Sequence, residues 1–210
     1  MRACRYPAVM SSFASQPLSE FLASIASKTP TPGGGAVASA VGALAAALAQ
    51  MVVAYSVGKK SLAQHEPRLQ ESVKVLERAR MLLLELADED AAAYGTVNEL
   101  SKLPEGDPRR AALPGAQAAS VQVPLAVMAA GVDLLRLFET LAPITNKQLR
   151  SDLAIAAVLA DATVRASRWN VAVNVAFLSD VHAQESTTKA AGSLVAESTR
   201  LCAVVERACA

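Results

Sequence analysis

Residues 28–60 read KTPTPGGGAVASAVGALAAALAQMVVAYSVGKK. Pro30 and Pro32 lack a backbone donor and Gly33 to Gly35 favour other backbone angles, so no helix runs through this corner. From Ala36 to Gly58 no residue is charged, and Lys59 and Lys60 close the run. A stretch of that length can cross a bilayer. Alanine dominates it, however, with Ser39, Gly42, Gln50 and Ser56 inside, and alanine contributes little insertion free energy beside leucine or isoleucine. The reading adopted is a helix covered by other helices. Its small residues Ala36, Ser39, Ala40, Gly42, Ala43 and Ala46 admit neighbouring backbones closely, and Val41, Leu44, Leu48 and Met51 supply bulk.

Composition agrees with one large soluble core. The chain has 210 residues, 52% apolar and 19% charged, with a formal net charge of +1. So balanced a charge advertises no attraction to nucleic acid or an anionic membrane, and neither is expected as a partner. The three cysteines, Cys4, Cys202 and Cys209, lie near the chain ends without zinc-type spacing, which suggests a reducing, cytoplasmic setting. His65 and His182 are the two histidines and are far apart, so no metal site is expected. Residues 1–14 are expected to form a loose leader, with Met10 an alternative start, and residues 15–210 a single domain.

Helical spacing recurs along the rest of the chain. Leu18, Phe21, Leu22 and Ile25 follow Pro17; Leu69, Val73, Leu76, Leu83 and Leu84 follow Pro67, in a helix expected to run to about Lys102. A fourth helical region is expected from about Arg109 to Leu141, broken or kinked by Pro114, Gly115 and Pro124. Another, capped by Asn146 or Ser151, covers residues 152–178 and is again almost wholly apolar or small. A last amphipathic helix spans about Val181 to Glu206. No strand finds a partner strand, so the fold class is all-α: a compact bundle of about six helices, with two nearly uncharged ones best covered by a homodimer.

Four features carry potential chemistry. Free backbone donors at the start of the helix after PGGG attract an anion, although a glycine corner also allows tight packing of two helices. Neither GxGxxG nor GK[ST] follows, which excludes a dinucleotide loop and a P-loop. Lys59 and Lys60 suit a helix C-terminus, or the rim of a cleft that takes a carboxylate. DEDAAAY concentrates Asp88, Glu89 and Asp90 on one helix, with Tyr94 on the same face as Asp90; this is a solvated patch unless Asp90 turns inward. Asn170 and Asn174 lie one turn apart in an apolar helix, and buried amides need hydrogen-bond partners from a helix or a ligand.

In order from about Leu18 to Phe177, TPTPGGGAVASAVGALAAALAQMV, SVGKK, DEDAAAY, KLP, VPL and SDLAIAAVLADATVRASRWNVAVNV together resemble the cyclodeaminase domain of formiminotransferase-cyclodeaminase and its free-standing bacterial relatives. The resemblance implies a dimeric, all-helical protein acting on tetrahydrofolate one-carbon units. Its reaction would be that of a methenyltetrahydrofolate cyclohydrolase, with formiminotetrahydrofolate cyclodeaminase as the alternative and a non-catalytic helical dimer as the second alternative. The loop TNKQLRSD and the NVAVN segment depart from the usual Asn-Pro and from the arginine between the asparagines. On this resemblance Asp90 and Asp152 are the leading catalytic carboxylates, with Lys59 as donor or anchor. Gly33, Gly34, Gly35, Lys60, Tyr94, Asn170 and Asn174 are then substrate-binding, and Arg109, Arg110 and Arg150 are candidates for the glutamate tail. The folate is substrate, and no metal is called for.

Overall fold

The computed structural model describes residues 12–210. Among these, six α-helices and no strand are present: α1 Leu18–Ala26, α2 Gly34–Ala54, α3 Glu66–Ser101, α4 Leu113–Leu141, α5 Arg150–Asn174 and α6 Val181–Cys209. Residues 1–11 of the expected leader lie outside the described residues. Its last part is anchored: the Phe13 N–H donates to Asp88 Oδ1 at 2.8 Å, and the Phe13 ring lies 5.4 Å from that of Phe21.

Helices α2 to α6 run alternately away from and towards one end of the bundle. A Cβ on Gly42 would meet Leu83 of α3 and Thr163 of α5 at 3.0–3.2 Å, and one on Gly34 would meet Asn170 at 3.6 Å. Gly35 in turn faces Asp90 of α3, so both neighbours are antiparallel to α2. Gly131 brings α4 against α5, where a Cβ would come 2.6 Å from Val164. Small residues thus set the helix spacing, as the composition of α2 suggested. Leu69, Leu76, Leu83, Val127, Met128, Leu135, Phe138, Leu153 and Leu201 fill the centre. Although α2 is long and apolar enough to cross a membrane, its buried residues pack on α3 and α5.

Two expectations need correction. Pro114 lies in the first turn of α4, where its missing N–H costs nothing, and Pro124 lies inside a helix that continues to Leu141. The second uncharged helix is less uniform than its pattern suggested. Asp161 of α5 is buried and accepts from Ser198 Oγ at 2.7 Å, with Arg165 at 3.7 Å.

Candidate functional site

A cavity of about 450 Å³ opens at the N-terminal end of α2. Its floor is the glycine corner, Gly33 to Gly35. One wall is a single stripe of α3 in which Asp90, Tyr94, Asn98 and Ser101 follow at helical spacing; the other is Asn170, Val173 and Asn174 of α5, with Phe177 just beyond. These residues meet because α3 and α5 both end where α2 begins.

Asp90 sits against the backbone of α2 at Gly35. A Cβ on Gly35 would come within 2.1–2.3 Å of its carboxyl atoms, so glycine is what lets this carboxyl lie against the start of α2. Burial pushes the Asp90 carboxyl above its ordinary range, and a hydrogen bond from the Ala36 N–H opposes that shift without cancelling it. The N-terminus of α2 also favours the anion. A carboxyl held between these influences can exchange a proton with a ligand and can face a cation.

Asn174 has a structural task at the same place. Pro124 cannot donate to the carbonyl four residues earlier, that of Ser120. The Asn174 side chain supplies the missing donor, Nδ2 to Ser120 O at 2.8 Å. This ties α4 to α5 behind the cavity. At the opposite rim, Arg110 donates to the Ser101 and Leu103 carbonyls, which pins the end of α3. Beneath the floor, one turn along from Gly35 and Asn170, the Ser39 and Ser167 hydroxyls are buried without a hydrogen-bond partner among the described residues. Among the described residues no group of three or more His, Cys, Asp or Glu side chains could hold a metal.

The family model for formiminotransferase-cyclodeaminase matches residues 17–193. This chain belongs to that family. It is 33% identical over 182 residues to a methenyltetrahydrofolate cyclohydrolase of Methylorubrum extorquens, covering 84% of this chain and 88% of the relative. It is 30% identical to the formimidoyltransferase-cyclodeaminase of Sus scrofa, covering 90% of this chain but 36% of that longer protein. The crystal structure of a formiminotetrahydrofolate cyclodeaminase from Thermotoga maritima superposes with a TM-score of 0.86 at 33% identity, covering 93% of this chain and 96% of that one.

Within this member of the formiminotransferase-cyclodeaminase family, the expected site residues divide between two ends of the bundle. Gly33, Gly34, Gly35, Asp90, Tyr94, Asn170 and Asn174 line one cavity. Lys59, Lys60 and Asp152 do not. Lys59 and Lys60 follow the far end of α2, which at 21 residues is about 31 Å long. Asp152 lies in the first turn of α5, about 27 Å along that helix from Asn170 by the same rise. The expectation that Asp90 and Asp152 flank one site is therefore not met within a single chain: long antiparallel helices separate residues that the motif order only lists in sequence. The arginines also fall elsewhere. Arg109 forks onto Asp107 at 2.7 and 3.0 Å, Arg110 holds backbone carbonyls, and Arg150 begins α5 at the far end. Sequence reasoning missed Asn98, Ser101, Ser120 and Phe177. For Asn98 a signal existed, since it continues the spacing of Asp90 and Tyr94.

Proposed function

We propose that this chain is a folate one-carbon enzyme acting on the N5/N10 bridge, and that it hydrolyses 5,10-methenyltetrahydrofolate to 10-formyltetrahydrofolate. The observation that carries the reading is the Asp90 carboxyl in the cavity wall just above the glycine floor, raised by burial and held against the Gly35–Ala36 backbone. Its support is the cyclohydrolase relative, which this chain matches over 88% of that protein's length.

The substrate carries an amidinium cation, and a carboxylate in a partly water-excluded slot attracts it more strongly than one in water. Asp90 takes a proton from the attacking water as its oxygen bonds to the bridge carbon. The carbon–N5 bond then breaks, N5 receives the proton that Asp90 holds, and the hydroxyl proton leaves to solvent as the formyl C=O forms on N10. One proton is released overall. Asn98 and Asn170 present donors and acceptors to the heterocycle, and Tyr94 and Phe177 present apolar faces. The reading takes the chain as a cytoplasmic homodimer and uses no metal.

Formiminotetrahydrofolate cyclodeamination, a lyase reaction, is the second reading, favoured by the fold match to the Thermotoga maritima protein. There N10 attacks the formimino carbon and ammonia departs, so the same carboxyl would accept the N10 proton and return it to the leaving nitrogen. Purified protein mixed with methenyltetrahydrofolate should speed the loss of its near-ultraviolet absorbance, and Asp90→Asn should lower that rate by about 10². Ammonia release from formiminotetrahydrofolate reports the second reading. A protein that leaves both spontaneous rates unchanged is a binding scaffold, and the enzymatic reading fails.

A further inference from the structure

Most buried hydroxyls of this bundle bond their own chain locally. Ser56, Ser72, Ser120, Thr163 and Ser198 each donate to a carbonyl three or four residues back. Three do not: Thr145, in the connection before α5, and Ser39 and Ser167, which are 0% and 1% exposed and find no partner among the described residues. The last two share one layer. On α2 Ser39 lies between Gly34 and Gly42, and on α5 Ser167 lies between Asn170 and Thr163, the residues those glycines face. At about 1.5 Å of rise per residue, these contacts leave the two serines within one helical turn of the same height.

The carboxyl above them has room for further donors. Asp90 is the one charged side chain lining the cavity among the described residues, and Tyr94 is the one other titratable group there. A carboxylate offers about four acceptor positions, and the Ala36 N–H fills one of them. The Asp90 oxygens lie 2.1 and 2.3 Å from the place a Gly35 Cβ would take. Ser39 is one turn further along α2, and residues four apart on a helix carry their Cβ atoms about 5–6 Å apart. That span equals two hydrogen bonds of about 2.8 Å laid end to end.

We infer that Ser39 and Ser167 together hold a buried water molecule beneath the glycine floor, and that this water donates a hydrogen bond to the Asp90 carboxyl from below. The three groups suit that occupant. A buried water makes about three hydrogen bonds, here to two hydroxyls and one carboxyl oxygen. An anion would be repelled by Asp90, and an apolar filling would leave both hydroxyls unbonded, at the cost of desolvating them for nothing. Ser39 and Ser167 are thus positioning residues that act through the water. It holds one carboxyl oxygen down and leaves the other towards the cavity. Because it lies below the floor, it stays in place when a ligand displaces solvent from the slot above.

Stability tests the shared water. Ser39→Ala, Ser167→Ala and the double variant are compared by urea denaturation, with Ser72→Ala, whose hydroxyl already bonds its own helix, as the control for helix propensity. Each single change deprives the water of one partner and should lower the folding equilibrium constant about tenfold beyond the control. The double variant should lose no more than either single one, because the water leaves with its partners. Single variants that gain stability, or losses that add, overturn the inference. A high-resolution crystal structure of the wild-type chain should show a water within about 2.8 Å of both hydroxyls; a direct bond between the two serines, or a dry gap, refutes it. Carboxyl carbon NMR tests the contact with Asp90, whose signal is assigned by its loss in Asp90→Asn. A donor to the carboxylate favours the charged form, so in the double variant the Asp90 midpoint should rise by about 0.5–1 pH unit. An unmoved midpoint puts the water out of reach of Asp90 and defeats the proposed role. These readouts use no turnover, so an inactive protein removes the folate reading and leaves them intact.

Discussion

Gly35→Ala is the sharpest perturbation of the site. The added methyl would lie 2.1–2.3 Å from the Asp90 carboxyl atoms, so either the side chain must turn or α3 must move away from α2. Overpacking of this kind costs about 1–3 kcal/mol. Glycine to alanine in a helix returns at most about 1 kcal/mol. The net expectation is a loss of about 1–2 kcal/mol, or roughly 2–8 °C in Tm for a chain of this size. The two contributions separate in a double-mutant cycle read by urea denaturation. With Asp90→Ala in place the obstruction is gone, and Gly35→Ala should stabilise by about 0.5–1 kcal/mol. Gly192→Ala on α6, where a Cβ meets nothing within 4 Å, serves as the propensity control. If the Gly35 and Asp90 substitutions add to within about 0.5 kcal/mol, the carboxyl does not rest on the glycine, and the account of the cavity floor is wrong.

Three further outcomes follow from the same coordinates. The folded chain keeps the Asp90 proton to a higher pH than the unfolded chain, whose carboxyl titrates near 3.8; the group therefore disfavours folding progressively as pH rises above that value. Denaturation from pH 4 to pH 7 should show Asp90→Asn gaining stability relative to wild type, and a flat difference would contradict the buried setting. Asn174→Leu strands the Ser120 carbonyl and should cost about 1–3 kcal/mol, whereas the same change in Pro124→Ala, which restores a backbone donor, should cost much less. The Cys202 thiol is pushed up to about 12 by burial, with Glu206 and Asp161 adding to it. Iodoacetamide at pH 8 should modify it ~10³-fold more slowly than a free thiol, because so little thiolate is present; peptide mass spectrometry after timed quenching reads this directly.

The helices were largely legible because each carries its own periodicity. The run after PGGG announced α2 by what it lacks, and Pro17 and Pro67 marked the starts of α1 and α3. The cavity was legible only in pieces. Asp90 and Tyr94 share a face by spacing alone, and Asn98 could have been added by extending that spacing one turn. That Asp90 rests on Gly35 depends on the register of two helices far apart in sequence, which local pattern does not encode. The same limit explains Lys59, Lys60 and Asp152: motif order says nothing about which end of an antiparallel bundle a residue occupies. Pro124 illustrates a different failure. Read locally it breaks α4, yet a side chain from α5 replaces the donor it lacks, a compensation visible only in three dimensions. Asp161 likewise reads as an isolated charge until Ser198 of α6 is set beside it.

Arg110, by gripping the carbonyls of Ser101 and Leu103, makes the connection between α3 and α4 a spacer for the slot. Ser101, which that grip holds, also lines the cavity one turn beyond Asn98. Exchanges at Arg110 would therefore release the end of the wall that carries Asp90, Tyr94 and Asn98 while every lining side chain stays the same, so one end of the cavity depends on a residue outside its lining.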